Sequence, residues 1–250
     1  MQHRWWTSAG TLVTLGALTT ACTGAPFWPA PTEPAVTSVS ISPALAGGGT
    51  AQAALDGLAV KGRAPKTGYS REAFGQAWSD DVTVGLGHNG CDTRSDILRR
   101  DLVDVTLKPG TRDCVPLSGT LHDPYTGAVI AFVRGADTSA DVQIDHVVAL
   151  SDAWQTGAQQ LPEDTRRDLA NDPLNLLAVD GPSNQAKSDS DAASWLPPQR
   201  SYRCAYVSRQ VAVKAAYDLW VTPAEKDAMA AVLSNCPHEA LPTDGEGIIR

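Results

Sequence analysis

Between residues 118 and 150 the chain carries three β-rich runs in succession. SGTLHDPYTGAVIAFVRG holds two of them around HDPYTG, where Asp-Pro and a following glycine suit a turn, so a hairpin is predicted. DVQIDHVVAL is the third run and reads as another strand. Helical patterns flank these runs instead of alternating with them, which points to an α+β fold and away from a doubly wound nucleotide-binding sheet. AQAALDGLAV and YSREAFGQAW read as short helices, the second capped by Ser70, and CDTRSDILRRDLVDVTL as a helix or turn feeding a strand. SDAWQTGAQQL, capped by Ser151, EDTRRDLAN, SNQAKSDSDAASW and RCAYVSRQVAVKAAYDLW are further predicted helices. In TPAEKDAMAAVLSNC, Thr222 caps, Pro223 takes the first position and Glu225 lies three residues on, so a final helix is expected.

The N-terminus has its own grammar. MQHRWWTSAGTLVTLGALTTAC has an early arginine, an apolar run over residues 12–18 and small residues leading to Cys22. That run is too short to span a bilayer and has the layout of a secretory signal. Its end resembles a lipoprotein signal, with Cys22 as the lipidated residue that would tether the protein to a membrane. Residues 23–49 are rich in Pro, Ala, Ser, Thr and Gly and read as a tether, residues 50–238 as one compact domain, and residues 239–250 as a polar tail. Export suits the remaining cysteines, Cys91, Cys114, Cys204 and Cys236, which allow three disulfide pairings. Cys91–Cys114 with Cys204–Cys236 is favoured, because each bond closes a local loop. A formal net charge of −8 argues against a simple electrostatic grip on nucleic acid. A reader of polyanions with this composition needs a locally basic groove or a bound cation.

Asp145 and His146 stand side by side inside an apolar, β-branched run, where two adjacent ionisable groups need a reason. Asn175 follows in NDPLNLLAVDG, and Asn184 and Lys187 follow in PSNQAKSDSDAASWLPP. On a helix starting near Pro182, positions 184, 187 and 191 share one face. A neutral imidazole can take a proton from water near neutral pH. Carboxylate and amide oxygens are hard ligands that suit Mg²⁺, or Mn²⁺, better than Zn²⁺.

This strand, loop and helix pattern resembles the ββα-metal core of HNH endonucleases. More closely, it resembles a secreted bacterial branch related to the C-terminal domain of GmrSD-type restriction enzymes. The likeness runs through GRAPKTGYSREAFG, NGCDTRSDILRRDL, SGTLHDPYTG, VQIDHVVALSDAW and NDPLNLLAVDGPSNQAKSDSDAASWLPP, most of residues 50–236. It implies a secreted metal-dependent endonuclease with His146 as general base. Asp145 and Asn184 would hold one divalent ion, Asn175 would steady the loop, and Lys187 would meet a phosphate. Asparagine at 184 departs from the histidine that many members carry there. The implied substrate is nucleic acid, DNA first and RNA second. The competing expectations are a non-catalytic envelope lipoprotein that binds through the same fold, and a metal hydrolase acting on another substrate. His88 and His122 read as turn or surface residues, and Trp78, Trp154, Trp195 and Trp220 as core. Asp191 reads as part of a solvated helix face, while Asp172 could join the site. Arg94, Arg99 and Arg100 form the notable basic cluster, read either as local ion pairs or as a phosphate clamp.

Overall fold

A computed structural model describes residues 49–136 and 138–242. The expected signal, Cys22 and nearly all of the tether lie outside the described residues, as does most of the polar tail. The fold is mixed α+β. A three-stranded antiparallel sheet has the order β1 (Leu102–Leu107), β2 (Pro116–His122), β3 (Val129–Val133), and a separate antiparallel pair joins β4 (Val142–His146) to β5 (Leu176–Asp180). The predicted hairpin is β2–β3, closed where Asp123 N–H donates to the Ala128 carbonyl at 2.8 Å. Gly127 there has φ 78°, a conformation open to glycine without strain. β1 is interrupted by a register irregularity at Asp104, whose φ of 52° fits a bulge that bends the strand.

The helices are α1 (Ala51–Gly57), α2 (Thr93–Asp101), α3 (Leu150–Gln155), α4 (Glu163–Asn171), α5 (Gly181–Lys187), α6 (Arg203–Ala216) and α7 (Pro223–Leu233). Asp92 caps α2 by accepting from Ser95 N–H, and Thr222 with Glu225 closes a reciprocal capping box on α7. Three expectations need correction. Helix α3 begins one residue before Ser151, at Leu150, and has no side-chain cap; Ser151 instead donates to Asp189. Residues 71–74 make a single 3-10 turn, stopped by Gly75. The helix predicted through residues 183–195 ends at Lys187, because Ser188 turns to φ 51°.

The β4–β5 pair sits between two apolar cores. Val142, Ile144, Leu176 and Ala178 face α2 and the three-stranded sheet through Ile97, Leu98 and Phe132. Val147, Leu177 and Val179 face Tyr125, Tyr206 and Val211. Each such fully buried aliphatic side chain contributes about 1.5–3 kcal/mol relative to exposure, so the pair is held by burial on both faces. Both favoured disulfides form, Cys91–Cys114 with Cα atoms 5.2 Å apart and Cys204–Cys236 at 6.4 Å. Lys214 is buried against Glu225 at 2.8 Å and Asp152 at 3.2 Å, while Arg63 bridges Asp152 to Asp191. Asp191 is therefore a buried ion-pair partner and not a solvated one. Among the described residues no helix is long and apolar enough to cross a membrane.

Candidate active site

Strand neighbours point to opposite faces, and β4 applies that rule to the Asp-His pair. Asp145 shares a face with Gln143 and is covered by α5, whereas His146 shares the opposite face with Ile144. On the α5 side, the Lys187 ammonium donates to Asp145 Oδ1 and to the His146 carbonyl, each at 2.9 Å. Tyr125, reaching back from the β2–β3 turn, donates its hydroxyl to Asp145 Oδ2. Lys187 is fully buried and Asp145 is 4% exposed, so this is an interior ion pair. Burial pushes the Asp145 carboxyl up, against the pull of the Lys187 charge and the Tyr125 hydrogen bond. Burial, reinforced by the Asp145 charge, raises Tyr125 well above the usual phenol range and keeps it a donor.

One helical turn before Lys187, Asn184 Nδ2 donates to Gln143 Oε1 at 2.9 Å. Asn184 and Lys187 thus meet Gln143 and Asp145 as two rungs between α5 and β4. The donor set here, a carboxylate and an amide oxygen, is of the hard-oxygen type that a divalent cation takes. Both Asp145 oxygens are taken by protein donors, Oδ1 by the buried Lys187 ammonium and Oδ2 by the Tyr125 hydroxyl.

On the far side of β4, His146 Nε2 lies 2.9 Å from the Ala170 carbonyl at the end of α4. A carbonyl only accepts, so a neutral ring here carries its proton on Nε2 and leaves the Nδ1 lone pair available. The imidazole is lowered to about 4, first by burial and then by the positive charges of Arg71 and Lys187, with the Ala170 hydrogen bond opposing. Trp78 lies nearly parallel to the ring at 6.0 Å, with its backbone at φ 57°. A bulky residue in that region is strained.

Asn175 is fully buried and closes the loop between β4 and β5. Its Oδ1 accepts from Val148 N–H at 2.8 Å, and its Nδ2 donates to the carbonyls of Val148 and Leu169. That amide fastens the end of β4 to the last turn of α4, whose Ala170 carbonyl orients His146. Asp172 is committed elsewhere, accepting from Leu174 N–H and the Tyr217 hydroxyl. Of the arginine cluster, Arg100 is engaged by Asp101, Pro173 and Leu176, and Arg99 meets Asp96. Ion pairing is the outcome for both. His88 and His122 are exposed. A cavity of about 1000 Å³, lined by His122, Tyr202, Arg209 and the Cys204–Cys236 bond among others, includes none of the five predicted site residues.

The structure therefore joins Asp145 to Lys187, sets Asn184 beside them on the same helix face, and sends the His146 ring to the opposite side. Tyr125, Gln143 and Trp78 were not predicted as neighbours of the site. Tyr125 sits in a turn and Trp78 in an irregular segment, where no periodicity announces a partner. Gln143 did carry a signal, two residues before Asp145 on the same strand face.

A curated relative, described as an uncharacterized secreted protein of Arthroderma benhamiae, is 39% identical over 227 residues, covering 90% of this chain and 98% of the relative. Its organism does not carry the bacterial part of the expected resemblance, whereas its secretion accords with two disulfides and an extracellular location. No solved structure matches the chain. Residues 92–232, which contain β4, β5, α5 and every predicted site residue, match the C-terminal domain of GmrSD restriction endonucleases. The chain belongs to that family.

Proposed function

We propose that the protein is a secreted metal-dependent endonuclease of the HNH type, hydrolysing phosphodiester bonds in DNA and also accepting RNA. Family membership supports a nuclease-related role and a nucleic-acid substrate. The observation that carries the finer reading is the His146 ring, tied through Nε2 to the Ala170 carbonyl and neutral far below neutral pH. In this reading β4, β5 and α5 are the ββα-metal core.

His146 Nδ1 accepts the proton of the attacking water. The Ala170 hydrogen bond fixes the tautomer, and Asn175 holds the backbone that supplies that carbonyl. Asp145 and Asn184 are the oxygen donors that would hold one divalent ion, Mg²⁺ or Mn²⁺. When bound, that ion would supply charge neutralisation on the α5 face of β4, the face opposite the His146 ring. Lys187 opposes the burial that pushes the Asp145 carboxyl up and presents positive charge next to His146.

The test is nicking of supercoiled plasmid with and without chelator. Wild type is expected to nick with Mg²⁺ or Mn²⁺, and His146→Ala to lose about 10²–10⁴-fold in rate with unchanged circular dichroism. Equal rates in the two proteins would overturn the reading.

A second reading is a non-catalytic binding module on the same fold, with lipidated Cys22 as its membrane anchor. The engagement of both Asp145 oxygens by Lys187 and Tyr125 favours it. Calorimetry with Mn²⁺ separates the two: the enzyme reading expects binding that Asp145→Ala abolishes, and the module reading expects none.

A further inference from the structure

Among the described residues the His146 ring makes a single hydrogen bond, and one is too few to orient it. The contact of Nε2 with the Ala170 carbonyl fixes where one corner of the ring points. It leaves the ring plane free, because histidine χ2 is a broad torsion and a carbonyl accepts from a wide range of directions. A ring swinging about that contact would carry Nδ1 away from any fixed water.

Trp78 is placed to set the plane. Its ring centroid lies 6.0 Å from that of the imidazole with 16° between the planes, an offset-stacked arrangement of the kind aromatic pairs favour. Both residues are half-buried, and the indole packs against the apolar cluster of Ile97, Leu98, Ile144 and Leu176. The backbone at φ 57° costs a bulky residue about 1–3 kcal/mol and persists only where the surroundings over-determine it. Here they do. The Trp78 carbonyl accepts from Thr93 N–H at 3.3 Å, and the Ser79 carbonyl from the Thr93 hydroxyl at 2.7 Å, so the first turn of α2 pins the indole's backbone. Further along the same segment, Thr83 N–H donates to Asp168 Oδ1 at 2.9 Å. Asp168 lies on α4, one residue apart from the Ala170 carbonyl's own neighbour Leu169. The segment that carries the indole and the carbonyl that holds Nε2 are therefore tied to one helix. Filling a core with an apolar side chain would not require a left-handed backbone, whereas holding an indole flat along a particular ring does.

We propose that Trp78 is a positioning residue for His146, its indole a fixed wall that holds the imidazole plane so that Nδ1 keeps one direction. The inference deepens the endonuclease reading and rests on it, while the state of the ring can be read without any activity.

The test uses the full chain with ¹⁵N-labelled histidine, the His146 signals being assigned by their loss in His146→Gln. Long-range proton–nitrogen spectra at neutral pH report which ring nitrogen carries the proton. Wild type is expected to show the Nε2–H tautomer alone. Trp78→Phe keeps a planar wall and should retain that tautomer and most of kcat for plasmid nicking. Trp78→Leu keeps apolar volume without the plane. It should show a mixture of tautomers and lose about 10–10²-fold in kcat with KM unchanged. Thermal melts report that each variant is folded. Should Trp78→Leu not fold, Thr93→Val, which removes the hydroxyl tie to Ser79, takes its place and is expected to shift the same ratio in smaller measure. If the folded variants keep the wild-type tautomer and kcat while wild type nicks plasmid, Trp78 only fills the core: the proposal fails and the endonuclease reading stands. Mixed tautomers with kcat unchanged would overturn it as well. If wild type does not nick with Mg²⁺ or Mn²⁺, the endonuclease reading fails and no reaction is left for Trp78 to serve, whatever the ring shows.

Discussion

His146 is held by one hydrogen bond and crowded by two positive charges, and both consequences can be measured. Its folded value of about 4 lies below the ordinary 6.5. Between those values the unfolded chain takes the proton and the folded chain does not. The histidine's contribution to stability is therefore complete above 6.5 and is lost as pH falls toward about 4. Thermal melts of wild type and His146→Gln should converge across that window on acidification. The same shift keeps the base unprotonated in weak acid, so the acid limb of the kcat/KM profile should lie nearer 4 than 6.5. An acid limb at the ordinary histidine value would contradict a buried, Ala170-bound ring. Tyr125 offers a second test at this scale. Tyr125→Phe removes the hydroxyl donor to Asp145 Oδ2 and should cost about 1–3 kcal/mol, read by urea denaturation.

The rungs between α5 and β4 predict a trade between a side chain and an ion. Removing the ammonium in Lys187→Met leaves the Asp145 carboxylate buried without its charge partner, which should cost about 3–5 kcal/mol in the absence of divalent ions. If Asp145 and Asn184 are ligands, Mn²⁺ should raise the melting temperature of this variant more than that of wild type. An equal effect on both would dissociate these oxygens from any cation. Asn175→Ala should likewise destabilise, since it orphans buried groups of Val148 and Leu169. The strand carrying Asp145 and His146 was legible because β-branched residues and an adjacent hairpin surround it. Strand β5 was not. LLAVD is apolar on both faces, Leu176 and Ala178 toward one core and Leu177 and Val179 toward the other, so it has no alternation to read. The early end of α5 was hidden for another reason: Ser188 adopts a left-handed backbone that nothing in its residue type announces.

Across the whole molecule, the cysteine pairing was readable and the destination of the charges was not. Loop length favours Cys204–Cys236, whose separation of 32 residues closes the segment spanning α6 and α7. Reducing that bond should cost about 3–4 kcal/mol by loop-closure entropy, measured as the denaturation midpoint with and without reductant. Asp191, by contrast, looked solvated in sequence because its partner is remote. Arg63 reaches Asp191 from 128 residues away, and Lys214 lies 62 residues from Asp152. Such pairs are set by tertiary packing and leave no local pattern. The β4–β5 pairing, with Asp145 opposite Leu177 and His146 opposite Leu176, has a last implication. Deleting a single residue from β4 would exchange the two: the imidazole would be driven under α5 against an ammonium, and the carboxylate would meet the tryptophan and a backbone carbonyl. An otherwise small indel at this point should thus abolish folding and activity together, whereas the exposed turn at residues 109–113 should tolerate one.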